Sequence, residues 1–472
     1  MGVRFTVNGE PATVDSADGV DPRATLLQWL RASGRVGTKE GCAEGECGAC
    51  AVGIVARDAR GRLALRPVNS CLVPLFGMAG HTVVTSEGIA AGGELHPVQK
   101  AMVSQGGSQC GYCTPGFVVS LFCEYYRPGR AEYDPESIGG NLCRCTGYRP
   151  IVDAARSLPA PSLDDPWLET IRRSAPALEA FEENDGQARF VRPTTLRAVF
   201  DVLAASPGAT LIAGGTDLMV AANQRFARWP VLVALDAVDD LQRIERSDRE
   251  LTIGAAVPLS HLEERMHDPD GVALLRQLLP LFSSRLIRNR ATLGGNLATA
   301  SPIGDSPPVL LALDAEVTLA RAEGSRRLPL REFFLAYRKT ALAPGELIAA
   351  VHVPLPLPEH QRFYKVSKRM LDDISTVAAA FALELDGSGR VRELRAAYGG
   401  VAATPLRVTA VEQSAAGKPW TAETLRGLVQ EMDRAGTPMT DHRGSAAYRR
   451  AMLRTLLERF YFETQAAAGG EP

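Results

Sequence analysis

The chain has 472 residues, of which 45% are apolar and 22% are charged. That length exceeds one ordinary core and predicts about three domains. Lys and Arg number 52 against 54 Asp and Glu, a balance that excludes the charge pattern of a protein binding nucleic acid or an anionic membrane. Because the sequence contains no apolar run long enough to span a bilayer and no secretory signal, we expect a cytoplasmic protein.

The first 160 residues are predicted to form two small domains. Residues 1–85 contain short strand patterns, a hairpin turn at Asn8-Gly9 and one stretch of helical spacing at 24–30. From 86 to 160 the pattern is helical, with starts near positions 97, 115, 135 and 151, and it predicts a four-helix bundle.

The remaining two thirds of the chain are predicted to be a linker and two further domains. Residues 161–187 are rich in Pro, Ser, Asp and Glu and have little periodicity, which is typical of a linker. Strands and helices alternate over 188–357, and a change of pattern marks a separate α+β domain at 358–465. The fold class expected is therefore multidomain α+β.

All nine cysteines lie between positions 42 and 145. Disulfide frameworks are typical of small secreted domains, so thiols confined to one region of a cytosolic chain favour metal binding. The first group has the C-x4-C-x2-C…C spacing of plant-type [2Fe–2S] centres, whereas zinc sites favour paired C-x2–4-C units. The candidate ligands of this group are Cys42, Cys47, Cys50 and Cys71.

The second group of cysteines, Cys110, Cys113, Cys143 and Cys145, combines C-x2-C with C-x-C. By spacing alone this group is less specific, and a zinc site or a redox pair remains open. The C-x-C pair must lie on a turn, because neighbouring side chains of a regular strand point in opposite directions. Cys123 is left over on an apolar helix and is interpreted as a buried inert thiol.

Two glycine-rich runs lie in the third domain, at 210–218 and 292–305. Each contains Gly-Gly, and such a turn can present backbone N–H groups to a pyrophosphate. An ordinary tight turn explains the first run equally well, and the second run favours an extended dinucleotide held from both sides. This is not a Rossmann site, because the G-x-G-x-x-G fingerprint is absent.

The second cysteine group resembles the second-cluster signature of the molybdenum hydroxylase family. The matching runs are QCGYCTPG at 109–116 and NLCRCTGYRP at 141–150, together with HPVQ at 96–99 and the first cysteine loop. The resemblance implies a [2Fe–2S] cluster on each group, in a plant-ferredoxin-like β-grasp domain and a four-helix bundle. It also implies that Gln109 and Cys145 lie at the contact with a partner that carries molybdopterin.

The glycine-rich runs resemble the FAD domain of the xanthine dehydrogenase flavoproteins, a two-part α+β domain of the PCMH type. The shared segments are AGGTDL at 213–218 and LGGN followed by ASPIGD, which ends at 305. Phe282 aligns with an aromatic residue near the isoalloxazine and is a candidate catalytic residue, with core packing as the alternative. The residues implied to bind FAD are Leu211, Ile212, Ala213, Gly214, Gly215, Thr216, Asp217, Leu218, Phe282, Thr292, Gly295, Asn296, Asp305, Ile348 and Lys365.

Residues 364–374 resemble the loop that gives NAD access to the flavin in that family. The resemblance places Lys365 toward FAD and Asp372, a second candidate catalytic residue, on the nicotinamide side. Some relatives carry Arg-Glu-Asp-Asp where this chain has Met370-Leu371 before Asp372, which leaves the choice of electron acceptor open. A solvated charged loop is the alternative interpretation.

The resemblance implies an electron-transfer function as the iron–sulfur and FAD subunit of a xanthine dehydrogenase. Electrons would pass from molybdopterin in a large partner subunit through two [2Fe–2S] clusters to FAD and then to NAD. Because the sequence contains no molybdopterin domain, we expect a separate large subunit, in a heterotetramer of two small and two large chains. The alternatives are the equivalent subunit of another molybdenum hydroxylase, acting on an aldehyde, nicotinate or another heterocycle, and a zinc-stabilised docking scaffold.

Overall fold

The computed structural model describes residues 2–15, 19–21, 23–90 and 93–467. The chain forms two compact units that interleave along the sequence. The first unit comprises Met1–Asp240, Pro258–His261 and Ser283–Thr292, and the second comprises Leu241–Val257, Leu262–Phe282 and Leu293–Pro472. Among the described residues, no helix is both long enough and apolar enough to span a membrane.

The first unit begins with a β-grasp domain of five strands and one helix: β1 (Val3–Val7), β2 (Glu10–Val14), α1 (Leu26–Ala32), β3 (Ala51–Arg57), β4 (Leu63–Asn69) and β5 (Thr82–Val84). The sheet order is β2-β1-β5-β3-β4, and only the β1–β5 pair is parallel. A capping box starts α1, because the side chains of Thr25 and Gln28 each accept a bond from the other's backbone N–H.

A helical domain follows, with α2 (Pro97–Ser104), α3 (Thr114–Tyr125), α4 (Arg149–Arg156) and α5 (Pro166–Arg173). Helix α3 is buried from Gly116 to Tyr125, so it forms the centre of this domain. The start predicted near position 135 is a single 3₁₀ turn, Pro135–Ile138. The fourth helix is instead α5, inside the segment predicted as a linker.

Helix α5 begins with an N-cap and a proline, although the surrounding segment has the polar composition of a linker. The Asp165 side chain accepts a bond from the Trp167 N–H, and Pro166 occupies the first turn. Ile171 is the buried residue of this helix, and Trp167 and Leu168 are partly buried against the same apolar core. The helix has only eight residues, so this apolar stripe spans too few turns to predict it from sequence.

The first unit ends in a four-stranded sheet with two helices: β6 (Phe181–Asn184), β7 (Arg189–Arg192), α6 (Leu196–Ala205), β8 (Thr210–Ile212), α7 (Leu218–Arg225) and β9 (Val231–Ala234). The order is β6-β7-β9-β8, with β7, β9 and β8 parallel. Phe190, Ile212 and Leu232 share one apolar core with the β-grasp sheet. This shared core joins the first glycine-rich run to the first cysteine domain.

The second unit contains two antiparallel sheets, β10-β11-β16-β12-β13 and β17-β18-β19-β20, and the ribbon β14-β15. Its strands are β10 (Ile244–Arg246), β11 (Glu250–Gly254), β12 (Glu316–Arg321), β13 (Gly324–Pro329), β14 (Phe334–Ala336), β15 (Lys339–Thr340), β16 (Leu347–Pro354), β17 (His360–Val366), β18 (Val377–Leu385), β19 (Val391–Gly399) and β20 (Leu406–Arg407). The remaining helices are α8 (Leu259–Met266), α9 (Ala273–Leu278), α10 (Arg285–Arg288, in the first unit), α11 (Leu293–Ala298), α12 (Ser306–Ala312), α13 (Thr409–Ala415), α14 (Ala422–Met432) and α15 (Ala446–Ala467). The second sheet packs its apolar face with α13, α14 and α15 in one core.

Candidate functional site

The first cysteine group is assembled from two segments of the β-grasp domain. Cys42, Cys47 and Cys50 lie on the loop between α1 and β3, and Cys71 lies on the 3₁₀ turn Ser70–Leu72 after β4. The Sγ atoms of Cys50 and Cys71 are 3.3 Å apart and buried. Hydrogen bonding with the Cys47 thiol lowers the pKa of Cys42 to about 5, so this side chain is readily a thiolate, the form that binds metal.

The backbone around these thiols directs N–H groups toward the cysteine sulfurs, as a bound cluster requires. The N–H of Cys42 lies 3.4 Å from the Cys47 Sγ, and the N–H of Glu44 lies 3.5 Å from the Cys42 Sγ. A Cβ atom at Gly41 would lie 2.7 Å from the Cys47 Sγ, so this approach requires glycine. Four convergent thiols with N–H donors aimed at sulfur are the donor set that a [2Fe–2S] cluster needs.

The second cysteine group is assembled from the starts of two helices. Cys113 is the residue before α3, and the Cys143–Cys145 pair lies on the loop before α4, as the C-x-C spacing predicts. The Cys113 thiol is hydrogen-bonded with the Cys143 thiol, and the Cys110 thiol with the Cys145 thiol. The N–H of Thr146 lies 3.4 Å from the Cys143 Sγ. This group also fits a cluster held by four thiolates.

Cys123 differs from the eight candidate ligands in its surroundings. It is 2% exposed on α3, inside the apolar core of the helical domain. Burial raises the pKa of its thiol, which keeps it protonated and unreactive.

The first glycine-rich run joins β8 to α7 in the first unit. A Cβ atom at Gly214 would lie 1.8 Å from the carbonyl oxygen of Arg290, and Gly215 has a φ of +81°. Both positions therefore require glycine. The turn ends at Asp217, directly before α7, and the Asp217 side chain makes no capping bond to the first turn of that helix.

The other candidate flavin residues divide between the two units. Thr292 belongs to the first unit, where it pairs with Pro258, whereas Phe282, Gly295, Asn296, Asp305, Ile348 and Lys365 belong to the second. Gly295 and Asn296 lie on α11, and Ile348 is a buried residue of β16 paired with Leu319 of β12. The Asn296 side chain accepts a hydrogen bond from the Ser306 hydroxyl.

A buried polar network in the second unit centres on Lys365. Its Nζ lies 2.8 Å from Asp305 Oδ2 and 2.8 Å from the carbonyl oxygen of Leu281, the residue before Phe282. The Ser375 hydroxyl donates to the other oxygen of Asp305. The side chains of Lys365 and Asp305 are 3% and 9% exposed, so the pair is shielded from water. Ser375 was not predicted, because nothing local in the sequence links it to a residue 70 positions away.

Asp372 lies on the loop between β17 and β18, with a φ of +49°. The neighbouring Asp373 accepts a bond from the backbone N–H of Arg369 at 2.8 Å, and Met370 is 76% exposed. The loop is thus an ordered turn that presents side chains to solvent.

Four family models match successive parts of the chain. They are the 2Fe-2S iron-sulfur cluster binding domain at 5–75, the [2Fe-2S] binding domain at 85–156, the FAD binding domain in molybdopterin dehydrogenase at 183–356 and the CO dehydrogenase flavoprotein C-terminal domain at 362–464.

Similar curated proteins include the xanthine dehydrogenases of Emericella nidulans and Drosophila subobscura. Both are 32% identical to this chain, the first over 98% of its residues and the second over 97%. The chain spans only 38% and 39% of their lengths. Similar solved structures include CO dehydrogenase from Oligotropha carboxidovorans (28% identity, TM-score 0.53, 57% of this chain and 94% of that one) and quinoline 2-oxidoreductase from Pseudomonas putida 86 (28%, 0.54, 59% and 96%). With two [2Fe–2S] domains and an FAD-binding domain in this order, the chain belongs to the molybdenum hydroxylase family as its iron–sulfur and FAD portion.

Proposed function

We propose that this chain is the iron–sulfur and FAD subunit of a xanthine dehydrogenase, acting in the cytoplasm with a large molybdopterin subunit. The observation that carries the proposal is the presence of two convergent four-cysteine groups and an FAD-binding domain on one chain. When bound, the clusters supply one-electron carriers and FAD supplies the conversion to two-electron chemistry with NAD. The proposed assembly is a heterotetramer of two small and two large chains.

The residues of this chain hold and orient these groups. The two cysteine groups are the proposed thiolate ligands, and the glycine turn at 214–215 offers N–H groups to the pyrophosphate of FAD. Lys365 and Asp305 fix the backbone at Leu281 and thereby the position of Phe282, the proposed isoalloxazine neighbour. Asp372 is the proposed nicotinamide-side residue.

Two measurements test this proposal. The purified chain should contain iron, acid-labile sulfide and FAD and should absorb visible light, whereas a colourless zinc protein would exclude it. The chain purified with its large partner should then oxidise xanthine with NAD as acceptor. Activity with oxygen and none with NAD would remove Asp372 from its proposed role but leave the cofactors in place.

A second candidate substrate class is supported by the solved structures. The similar chains of CO dehydrogenase and quinoline 2-oxidoreductase are matched over 94% and 96% of their lengths, so another molybdenum hydroxylase reaction is the alternative. Turnover of a different heterocycle or an aldehyde, with xanthine inert, would favour that alternative. Because substrate-contacting residues would lie on the partner, the electron-transfer role of this chain is the same in both cases.

A further inference from the structure

Two neighbouring side chains of α7 bind the backbone of the first cysteine group. The Asn223 side-chain amide donates to the carbonyl oxygens of Ala43 at 2.9 Å and Cys71 at 2.8 Å. The Gln224 amide donates to the carbonyl oxygen of Cys42 at 2.7 Å. The loop that holds Ala43 and the turn that holds Cys71 supply all four thiols. Asn223 therefore joins the two halves of the proposed ligand set.

The hydrogen bond from Asn223 to the Ala43 carbonyl acts on the peptide group between Ala43 and Glu44, whose N–H faces the Cys42 thiol. The carbonyl of Ala43 and the N–H of Glu44 are opposite ends of one planar peptide. That N–H lies 3.5 Å from the Cys42 Sγ. A hydrogen bond accepted at the carbonyl end both fixes the plane of the peptide and polarises its N–H as a donor.

The backbone at this peptide needs support from its surroundings. Ala43 has a φ of +56°, in the left-handed region that non-glycine residues seldom occupy. Such a conformation persists where neighbouring contacts enforce it. The bonds from Asn223 and Gln224 to consecutive carbonyls, at Ala43 and Cys42, provide that enforcement.

We propose that Asn223 is a positioning residue that raises the reduction potential of the first [2Fe–2S] cluster by orienting the 43–44 peptide toward the Cys42 sulfur. Reduction adds one electron to the cluster, and N–H groups that donate to its sulfurs stabilise the added negative charge. The inference rests on the proposed function, since it requires Cys42 and Cys71 to be ligands. Helix α7 begins at Leu218, the last residue of the proposed flavin loop at 211–218, so the same helix continues the flavin loop and bonds the cysteine loop.

The test is a redox titration of the full chain followed by electron paramagnetic resonance, with the second cluster as an internal reference. Asn223→Leu keeps the approximate volume and net charge and removes both hydrogen bonds. We expect the first cluster to titrate at a lower potential, with its reduced-to-oxidised ratio at fixed ambient potential falling roughly two- to tenfold. The second cluster should not shift. Asn223→Gln, which keeps the amide, should restore part of the potential.

A matched control separates positioning from stability. Asn8 also bonds a neighbouring segment of the β-grasp domain, at the Thr85 backbone N–H and hydroxyl, and its φ of +54° suits glycine. Asn8→Gly should lower the unfolding midpoint and leave both potentials unchanged. If Asn223→Leu also lowers the unfolding midpoint and leaves both potentials unchanged, Asn223 only stabilises the fold and the proposal is wrong.

A single-bond variant covers the case in which Asn223→Leu does not retain the cluster. Gln224 is exposed, so Gln224→Leu removes one bond to the Cys42 carbonyl with little effect on folding. A smaller shift of the same sign supports the proposal, and an unshifted potential overturns it. Wild-type chain without iron or a paramagnetic signal would instead refute the proposed function itself.

Discussion

The nine cysteine side chains differ in what surrounds them, and this separates candidate ligands from a core thiol. Eight of them face another cysteine of their group or a backbone N–H. Cys123 is enclosed by apolar side chains, close to Gly53 of β3. Because metal binding needs several thiolates in one place, the ninth cysteine has no ligand function.

Replacing one proposed ligand should remove one cluster and leave the other. For Cys47→Ser we expect loss of about half of the bound iron and acid-labile sulfide, measured per FAD, because each group holds one cluster. Cys123→Ala is the matched control and should keep all of the iron, with a stability loss on the order of 1 kcal/mol from the small cavity. Full iron content in Cys47→Ser would show that this residue is not a ligand.

His96 is a buried histidine whose hydrogen bonds define its neutral form. Its Nδ1 accepts the Val98 N–H that starts α2, and its Nε2 lies 2.8 Å from the Tyr126 hydroxyl, which donates to Asp165. The ring proton is therefore assigned to Nε2. Burial lowers the pKa of His96 to about 4, against 6.5 for an exposed histidine.

This lowered pKa predicts acid sensitivity. Between about pH 6.5 and 4 the unfolded chain binds a proton at position 96 that the folded chain does not, so stability falls as the pH falls through this window. The urea midpoint should drop accordingly. His96→Asn keeps a helix cap but cannot titrate, and it should flatten the pH dependence. His81, whose pKa burial lowers to about 3, should still contribute a slope of the same sign, and so should carboxyl groups with a lowered pKa such as Glu87. An unchanged slope would exclude His96 as a source.

Among the elements, the β8–α7 turn depends on glycine for a backbone contact. The Cβ of Gly214→Ala would lie 1.8 Å from the Arg290 carbonyl oxygen, so the turn must move. We expect this variant to lose most of its FAD while retaining its iron. Gly208→Ala, just before the same strand, meets nothing within 4 Å and should keep both. Normal FAD content in Gly214→Ala would show that the turn does not bind the cofactor.

The Lys365–Asp305 pair connects β17 to the start of α12 inside the second unit. Lys365→Met leaves a buried carboxylate without its cation, which typically costs about 3–5 kcal/mol. Adding Asp305→Asn removes that charge, so the double variant should recover part of the stability. Urea unfolding of both variants, with FAD content alongside, measures this coupling. Strictly additive losses would mean that the two groups do not interact.

For the whole molecule, the exposed side chains around the second cysteine group suggest a surface for the proposed partner subunit. Gln109, Cys110 and Cys145 are exposed, and the adjacent Leu142 is 40% exposed. Single exposed apolar residues are common, but a redox centre at the surface favours a docking face. We therefore place the proposed contact with the molybdopterin subunit on this part of the helical domain.

A charge at this face should weaken the assembly. We expect Leu142→Asp to lower affinity for the large subunit roughly tenfold or more, as for a residue in an interface core. Leu163→Asp, at a site 90% exposed, should have no effect. Co-purification and analytical ultracentrifugation of the two variants provide the comparison. Equal assembly would place the contact on another face.

The order of the domains was predictable from the sequence, because the motifs that mark each domain are local. The cysteines of each loop, the two glycine pairs and the helix starts lie within a few residues of one another, and ligand geometry restricts their spacing. The helix at Pro166–Arg173 escaped prediction because it has only eight residues, so its apolar stripe of Trp167, Leu168 and Ile171 is short and lies in a segment rich in Pro, Ser, Asp and Glu. The start near position 135 produced only a 3₁₀ turn, although Asp134 and Pro135 form a valid cap.

The sequence by itself determined which cofactor classes the chain can hold and in what order its domains follow. Only the tertiary structure revealed which side chains support those sites. Asn223 is 152 positions from Cys71, and Ser375 is 70 positions from Asp305. A hydrogen bond between such distant residues leaves no spacing or periodicity in the sequence, because it depends on how strands and helices pack rather than on their local pattern.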